Sequence, residues 1–168
     1  YTPLKKKTPL AIIPGAVCGM LPPLIGWLAA GGDPAAAPIW RIMALFFLWQ
    51  VPHAWLILLA CGENLRQLRV PSMLDVFSLS QMNRLIFVWT MAFALVVLHW
   101  CAFELRVATG ALLAPVLANA ALMPLLFAGT LFIGRGIRRY AVLFHYLTAS
   151  MVAIIAVPVI DTALNPAY

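Results

Sequence analysis

The sequence predicts an all-α fold, a multi-pass transmembrane helix bundle of about five helices, from its composition and its hydropathy. Of the 168 residues, 64% are hydrophobic and only 10% are charged. Soluble domains average about 25% charged and 45–50% apolar residues. The mean hydropathy is +0.98. A chain of this size cannot hide so much apolar surface in a soluble core, so its solvent must be lipid.

Five apolar segments are each long enough to cross a bilayer, because a hydrocarbon core about 30 Å thick requires about 20 residues of helix. Within a single transmembrane domain of residues 1–168, the predicted helices are about 9–30, 38–61, 85–102, 108–134 and 140–160. The one substantial loop is 62–84. In it, Ser78 and Gln81 have the spacing of a capping box, which predicts the start of the third membrane helix.

Prolines interrupt the first two segments. Pro14, Pro22 and Pro23 lie in the first and Pro52 in the second. Each removes a backbone donor and bends its helix. Membrane helices tolerate such breaks where neighbouring helices or a polar cavity satisfy the freed carbonyls, so the sequence allows either a packing kink or a break that lines a cavity.

The basic residues that give the net charge of +6 fall mostly on one side of the predicted bundle. That side carries nine of the eleven: Lys5, Lys6, Lys7, Arg66, Arg69, Arg84, Arg135, Arg138 and Arg139. The opposite loops carry only Arg41 and Arg106. The positive-inside rule therefore predicts a cytoplasmic N-terminus for this chain and a C-terminus outside. No basic face with interleaved aromatic residues is visible, so nucleic-acid binding is not expected.

The cysteines and the first residue indicate, respectively, how the thiols are placed and whether the chain is part of a longer protein. Cys18, Cys61 and Cys101 are scattered singly, without CxxC spacing, which favours buried small apolar side chains over disulfides or a thiolate metal site. The chain begins at Tyr1 rather than Met and has no signal peptide. We therefore expect these residues to belong to a longer protein.

Residues 1–9 form the first of three stretches with groups suited to chemistry. Tyr1 and Lys5 are four residues apart and would share a face on a helix. A phenol and an ammonium on one face suit phosphate oxygens. The alternative is a basic anchor at the membrane surface.

The second stretch begins with Glu63 and Asn64, which are followed by Arg66 and Arg69. An acid at a membrane surface beside basic groups could hold Mg²⁺ bridging to a diphosphate, although one carboxylate alone is a poor magnesium site. The alternative is a solvated loop.

The third stretch, WQVPHAW at 49–55, places Gln50 and His53 at membrane depth beside a proline break. Such groups are costly in lipid unless they face the bundle interior. His53 could ligate or contact a cofactor, act as a base, or bond a carbonyl freed by Pro52. His99 and His145 lack such neighbours, and interfacial packing is expected for both.

Together, residues 1–32 and 45–74 resemble the UbiA-type intramembrane prenyltransferase superfamily, and more closely its protoheme IX farnesyltransferase (haem O synthase) branch. The stretches GMLPPLIGW at 19–27 and WQVPHAW carry the resemblance. It covers about residues 1–75, and the remaining hundred residues add only helix count and topology.

The resemblance implies a nine-helix fold around a central cavity, with two acidic motifs on the cytoplasmic side that bind Mg²⁺ and prenyl diphosphate. This chain would be a C-terminal fragment that supplies the last five helices. The missing N-terminal four helices of the same protein, with the first acidic motif, would then be its partner. We expect the 168 residues alone to be inactive. The implied location is the bacterial cytoplasmic (inner) membrane.

Site residues follow by resemblance, position by position. Tyr1 and Lys5 match diphosphate contacts, which Lys6 and Arg66 would extend. Glu63 and Asn64 match the second acidic pair, where a carboxamide replaces one carboxylate and should weaken Mg²⁺ binding. His53 matches the histidine of a PPHFW stretch and is the candidate catalytic residue. The chain also departs from the pattern at three further positions: Ala54 for the aromatic neighbour of the histidine, Leu65 for tyrosine and Arg69 for glycine.

The implied reaction is transfer of the farnesyl group of farnesyl diphosphate to the vinyl group of haem b, with the lipid bilayer admitting both substrates. Two alternatives stay open. One is a prenyltransferase that acts on a quinone-precursor aromatic ring. The other is a non-catalytic membrane protein, either one that binds haem or prenyl lipid or a small transporter.

Overall fold

The computed structural model describes residues 8–66, 73–103, 105 and 110–165, with the backbone alone at residues 9 and 62–66. The described residues form helices and no strands. The α-helices are α1 Ile12–Gly19, α2 Leu21–Ala29, α3 Ala37–Arg66, α4 Met73–Val76, α5 Leu79–Phe103, α6 Leu113–Ala128 and α7 Arg138–Leu164. Short 3-10 turns cover Pro9–Ala11 and Gly110–Leu112, and a π-helical turn at Gly129–Ile133 extends α6.

Five stretches of this chain are long and apolar enough to cross a membrane. They are Ile12–Ala29, Ala37–Cys61, Leu79–Phe103, Gly110–Ile133 and Arg138–Leu164. The prediction of an all-α, multi-pass membrane bundle of about five helices is therefore confirmed.

The first span is a bent pair of helices rather than the single helix expected over 9–30. α1 ends at Gly19 and α2 begins at Leu21. Pro22 and Pro23 lack the N–H groups that would have continued the hydrogen-bond ladder of α1. They stand instead in the first turn of α2, where no such bond is needed.

The segment predicted as a loop over 62–84 is largely helical in its described parts. α3 continues through Arg66, and α5 begins directly after Ser78. The capping box is present, because the Ser78 N–H donates to Gln81 Oε1 at 2.8 Å and the Gln81 N–H donates to Ser78 Oγ at 3.3 Å. Hydropathy locates the membrane crossing, whereas the cap sets where the helix starts, so α5 begins before the apolar segment expected at 85.

The core lies between the four long helices. α5 packs against both α3 and α6, α7 packs against α3 and α6, and α1 and α2 also pack against α3. Large side chains with almost no exposure fill this core, among them Trp55, Phe93, Met123, Phe127 and Leu147. This packing brings the middle of α7 against the proline break of α3.

The cysteine prediction holds at one position only. Cys101 is buried, as expected. For Cys18 and Cys61 the prediction of burial is wrong, since both are exposed on helix surfaces. In a membrane protein apolar residues face lipid as well as core, so hydrophobicity alone does not specify burial.

Candidate active site

His53 lies on α3 directly after Pro52, within the span Ala37–Cys61. Pro52 has no N–H, so the carbonyl of Leu48 loses its regular helical partner. The imidazole of His53 is half-buried, and its hydrogen-bond partner is a side chain of α7 rather than that carbonyl. The structure thus places the one deep histidine of the WQVPHAW stretch at the α3–α7 interface.

Two aromatic rings pack on the imidazole. Trp49, one turn earlier on α3, has its ring centroid 4.3 Å from that of His53, at an interplanar angle of 38°. Phe144 of α7 lies at 4.5 Å and 42°. The two helices therefore cover the imidazole from two directions with apolar surface.

Thr148 holds one ring nitrogen of His53. Its Oγ1 lies 3.3 Å from His53 Nδ1. The same hydroxyl donates to the Phe144 carbonyl at 2.8 Å, the usual back-bond of a threonine within a helix. Phe144 and Thr148, one turn apart on α7, thus contact both the face and the edge of the imidazole.

A further bond fixes how α3 and α7 meet. Trp49 Nε1–H donates to the Leu147 carbonyl at 3.3 Å. Indole N–H groups at buried positions usually find an acceptor, and this one finds it on the turn of α7 that also carries Phe144 and Thr148. The packing of His53 is therefore set by contacts from one turn of each helix.

On the side of α3 that meets α1, Gln50 approaches Gly19 closely. A Cβ atom at Gly19 would stand 3.0 Å from both Cδ and Oε1 of Gln50. Glycine at the end of α1 thus allows the carboxamide to lie between the two helices. This gives the GMLPPLIGW stretch a structural link to WQVPHAW.

The other predicted site residues lie outside the residues whose side chains the structure describes. Tyr1, Lys5 and Lys6 are outside the described residues. Glu63, Asn64 and Arg66 stand in the last turns of α3, and their side chains are likewise outside the description. Of the predicted candidates, only His53 has described side-chain contacts.

Helix geometry nevertheless gives the depth of His53 relative to the acidic pair. Both lie on α3, and Glu63 follows His53 by ten positions. At 1.5 Å per residue, the two positions are about 15 Å apart along the helix, which is about half the thickness of a hydrocarbon core.

A second polar cluster lies where α5, α6 and α7 meet near the π-helical turn. Asn83 Nδ2 donates to the Leu131 carbonyl at 2.9 Å, and Tyr140 OH donates to Asn83 Oδ1 at 3.1 Å. Arg139 donates to the Tyr140 hydroxyl at 2.6 Å and to the carbonyls of Leu131 and Gly134. We call these residues the Asn83 cluster.

A cavity of about 330 Å³ opens between α6 and α7 and holds a third group of polar side chains. There Tyr146 OH donates to Asn119 Oδ1 at 2.6 Å, and Ser150 OH donates to the Tyr146 carbonyl at 2.8 Å. The remaining lining is apolar, including Val116 and Ile154.

Sequence reasoning missed the α7 half of the His53 site. Phe144 and Thr148 have i, i+4 spacing, which places them on one helix face. A threonine in the middle of an apolar span is a recognisable signal of a buried polar contact. Nothing in the sequence, however, indicates that this face meets His53.

In the described residues, no three His, Cys, Asp or Glu side chains come together as a metal site would require. The chemistry available at the described part of the site is therefore that of one imidazole held between aromatic rings.

Comparison with known proteins gives the family. The model of the UbiA prenyltransferase family matches residues 1–148. A protoheme IX farnesyltransferase of Nitratidesulfovibrio vulgaris (strain DP4) is 37% identical over 166 residues, which are 99% of this chain and 55% of the relative. One of Geobacter sulfurreducens is 49% identical over 71 residues, 42% of this chain and 26% of the relative.

The chain thus spans about half the length of the first of these curated relatives. No solved structure matches it. Since the family model covers most of the residues, including the WQVPHAW stretch, the chain belongs to the UbiA prenyltransferase family.

Proposed function

We propose that this chain is part of a protoheme IX farnesyltransferase (haem O synthase), which transfers the farnesyl group of farnesyl diphosphate to the vinyl group of haem b. The observation that carries the proposal is the 37% identity to a curated protein of that name over 99% of the chain. The GMLPPLIGW and WQVPHAW stretches, which carry the resemblance and approach each other at Gly19 and Gln50, add to it.

In the proposed reaction, the C–O bond to diphosphate breaks and diphosphate leaves with the electron pair. The π electrons of the vinyl group form the new C–C bond to the farnesyl carbon. The cation left on the haem side chain is then discharged by water, which adds its oxygen and releases a proton. The apolar surroundings keep water from the farnesyl cation before the vinyl group reacts.

The diphosphate would be bound by basic groups at the cytoplasmic end of the bundle. Tyr1, Lys5, Lys6 and Arg66 are the proposed contacts, since ammonium, guanidinium and phenol groups all donate to phosphate oxygens. They would favour bond breaking by stabilising the negative charge that develops on the leaving group.

Mg²⁺ is the proposed metal for the diphosphate, with Glu63 and Asn64 as its ligands from this chain. One carboxylate and one neutral carboxamide do not form a complete magnesium site, which usually combines carboxylates with substrate phosphates and water. Further ligands would have to come from the part of the relatives' length that this chain does not span.

His53 is proposed to contact haem rather than to move a proton. The reacting farnesyl carbon is bonded to the diphosphate, so the chemistry must occur close to the groups that bind diphosphate. His53 lies about 15 Å along α3 from Glu63, the proposed ligand at the diphosphate end. At that distance its imidazole cannot exchange a proton directly with the reacting groups. A haem lying between the two positions could touch both.

The proposed orientation puts the diphosphate end of the bundle in the cytoplasm, in a bacterial inner membrane. Successive membrane helices run in alternating directions, so one end of the bundle holds the end of α3 and the starts of α5 and α7. These helix ends carry Arg66, Arg84, Arg138 and Arg139. The opposite end of α3 carries Arg41. This distribution supports the positive-inside assignment.

The test is product analysis with the full-length protein in membranes. Farnesyl diphosphate is supplied with haem b in one reaction and with a quinone-precursor aromatic acid in another, and the products are separated and weighed by mass spectrometry. The proposal expects farnesylated haem in the first reaction and no product in the second. Prenylation of the aromatic acid alone would overturn the choice of acceptor, and turnover of neither would favour a binding protein.

A further inference from the structure

We propose that the turn between α6 and α7 binds an anionic phospholipid of the surrounding bilayer. The inference goes beyond the proposed function, since it depends neither on haem as the acceptor nor on the diphosphate contacts. It assigns a ligand to a surface that the proposed reaction does not use.

This surface lies at the boundary of the membrane, where one span ends and the next begins. The span Gly110–Ile133 ends there and the span Arg138–Leu164 begins, with residues 134–137 as the turn between them. Three large apolar side chains are exposed at the turn, namely Phe132, Ile133 and Ile137, and Ile133 is 80% exposed. Apolar side chains exposed at the end of a membrane span contact the acyl chains of neighbouring lipids.

Three exposed arginines accompany these apolar side chains. Arg135 lies in the turn, and Arg138 begins α7. Arg84 comes from α5, where Phe87 follows it by three positions on the same helix face and packs on Phe132 with ring centroids 5.6 Å apart. Arg84 therefore lies on the face of α5 that meets the turn. We call the three arginines and the three apolar side chains the arginine patch.

The turn is held in place from inside the bundle. Arg139 donates to the carbonyls of Leu131 and Gly134, on either side of the last residues of α6. Gly136 has a φ of +80°, in the left-handed region that favours glycine. Two consecutive arginines thus differ in role, because Arg139 fixes the turn whereas Arg138 stays at the surface.

The arginine patch carries positive charge that the protein does not neutralise locally. In the part of the chain that the structure describes, none of its three guanidinium groups has an acidic partner. Guanidinium groups at a membrane surface attract anionic headgroups, and their planar fork can bind a phosphate through two parallel hydrogen bonds.

A phospholipid matches both kinds of side chain in the patch. Its phosphate suits the arginines, and its acyl chains suit the apolar side chains, whereas a soluble diphosphate offers nothing to the latter. A zwitterionic headgroup also carries an ammonium, which three guanidinium groups repel. The best ligand is therefore a lipid with net negative charge.

The experiment titrates the full-length protein in neutral detergent with phosphatidylglycerol, or with phosphatidylethanolamine of the same acyl chains, and measures bound lipid by native mass spectrometry. The test variant combines Arg84→Gln, Arg135→Gln and Arg138→Gln. The matched control combines the three corresponding substitutions to lysine. Arg135→Gln and Arg41→Gln, at opposite ends of the bundle, form a second matched pair.

The wild type should bind phosphatidylglycerol more tightly than phosphatidylethanolamine. Each basic residue near an anionic surface contributes about five-fold in binding, so the triple glutamine variant should lose about 100-fold in affinity for phosphatidylglycerol. The lysine control should keep most of that affinity, because it keeps the charge and loses only the fork geometry. Arg135→Gln should lose about five-fold on the same basis and Arg41→Gln should resemble the wild type.

Equal binding of the two lipids by the wild type would overturn the inference, as would a lipid preference that survives in the triple glutamine variant. An equal loss in Arg41→Gln would also overturn it, since overall charge would then set the preference. Binding of inorganic diphosphate that depends on the same arginines, without a lipid preference, would assign the patch to soluble phosphates instead. If the triple variant does not fold, Arg135→Gln, in the turn outside the helices, still decides the question. Farnesyl transfer by the wild type is measured separately, so failure of the inference leaves the proposed function intact.

Discussion

The Asn83 cluster and the His53 site are both polar groups within an apolar bundle, but they differ in burial and in the number of their hydrogen bonds. Asn83 donates to Leu131 and accepts from Tyr140, and it is almost fully buried. His53 has one described hydrogen bond and is only half-buried. In the Asn83 cluster, Arg139 Nε is buried without a partner among the described residues. The bonds of Asn83 and Tyr140 are explained by stability, whereas the half-buried His53 is a candidate for ligand contact.

The largest effect on stability is expected for Asn83→Leu. The substitution keeps the volume but leaves the buried Tyr140 hydroxyl without its acceptor and removes one of the donors to the Leu131 carbonyl. Leaving such a buried group unpaired costs about 1–3 kcal/mol. Thermal unfolding in detergent should show a clearly lowered midpoint.

Asn119→Leu is the matched control, because Asn119 is only half-buried, beside the α6–α7 cavity, whereas Asn83 is buried. Its loss should cost less, since Tyr146 can turn its hydroxyl toward that cavity. If Asn119→Leu lowers the unfolding midpoint as much as Asn83→Leu, burial of the Asn83 cluster does not explain its contribution to stability.

The next largest effect is expected for Arg139→Lys. The guanidinium reaches the carbonyls of Leu131 and Gly134 and the Tyr140 hydroxyl, and its Cζ lies 4.7 Å from the centroid of the Tyr140 ring. One ammonium cannot span these acceptors in that plane. We expect a loss of about 1 kcal/mol, the usual contribution of a hydrogen bond.

Arg138→Lys controls for charge and position, because Arg138 is the exposed neighbour at the start of the same helix. Its unfolding midpoint should match that of the wild type. Equal losses in the two variants would mean that general basicity at this end, rather than the geometry of the Asn83 cluster, stabilises the bundle.

His53→Ala should lower the free energy of unfolding less than Asn83→Leu or Arg139→Lys in the Asn83 cluster. It removes one hydrogen bond of 3.3 Å and the packing of a half-buried ring. Hydrogen bonds between membrane helices contribute about 0.6 kcal/mol on average. The same preparation should show the larger loss in haem titration, so stability and function separate at this residue.

A His53→Ala protein less stable than Asn83→Leu would contradict this ranking and would make His53 a structural residue. Thr148→Val provides the second measurement, since it removes the same hydrogen bond from the α7 side while keeping the imidazole. The two variants should lower the unfolding midpoint by similar small amounts.

The sequence predicted the fold well because the signals it carries are local. Length and hydropathy give the five spans, and the Ser78–Gln81 spacing gives the start of α5. The sequence did not predict where individual helices bend or end, as at the break at Met20 and the continuation of α3 to Arg66. Hydropathy indicates which residues lie in the membrane but not which backbone groups are hydrogen-bonded.

The candidate site was only half predictable, for a physical reason. Pro52 beside His53 marks α3 as unusual through residues adjacent in sequence. Phe144 and Thr148 reach His53 only because α7 packs against α3, a contact about 95 residues away along the chain. Thr148 signals a polar contact within an apolar span, but the local sequence of neither residue indicates that the partner is His53.

The smallest effect is expected for Gly19→Ala, which tests whether the open site depends on the close contact with α1. The added Cβ would stand 3.0 Å from Gln50 Cδ and Oε1. The end of a flexible side chain can move by a few tenths of an ångström, so the cost should stay below about 1 kcal/mol, the low end for overpacking.

Gly129→Ala, where a Cβ meets nothing within 4 Å, is the control. Combining Gly19→Ala with Gln50→Ala should abolish the difference, because the double-mutant cycle isolates this one contact. If the cycle shows no coupling in either unfolding or haem affinity, the GMLPPLIGW stretch supports the site by some route other than Gln50, and the openness of the His53 site is a property of α3 and α7 alone.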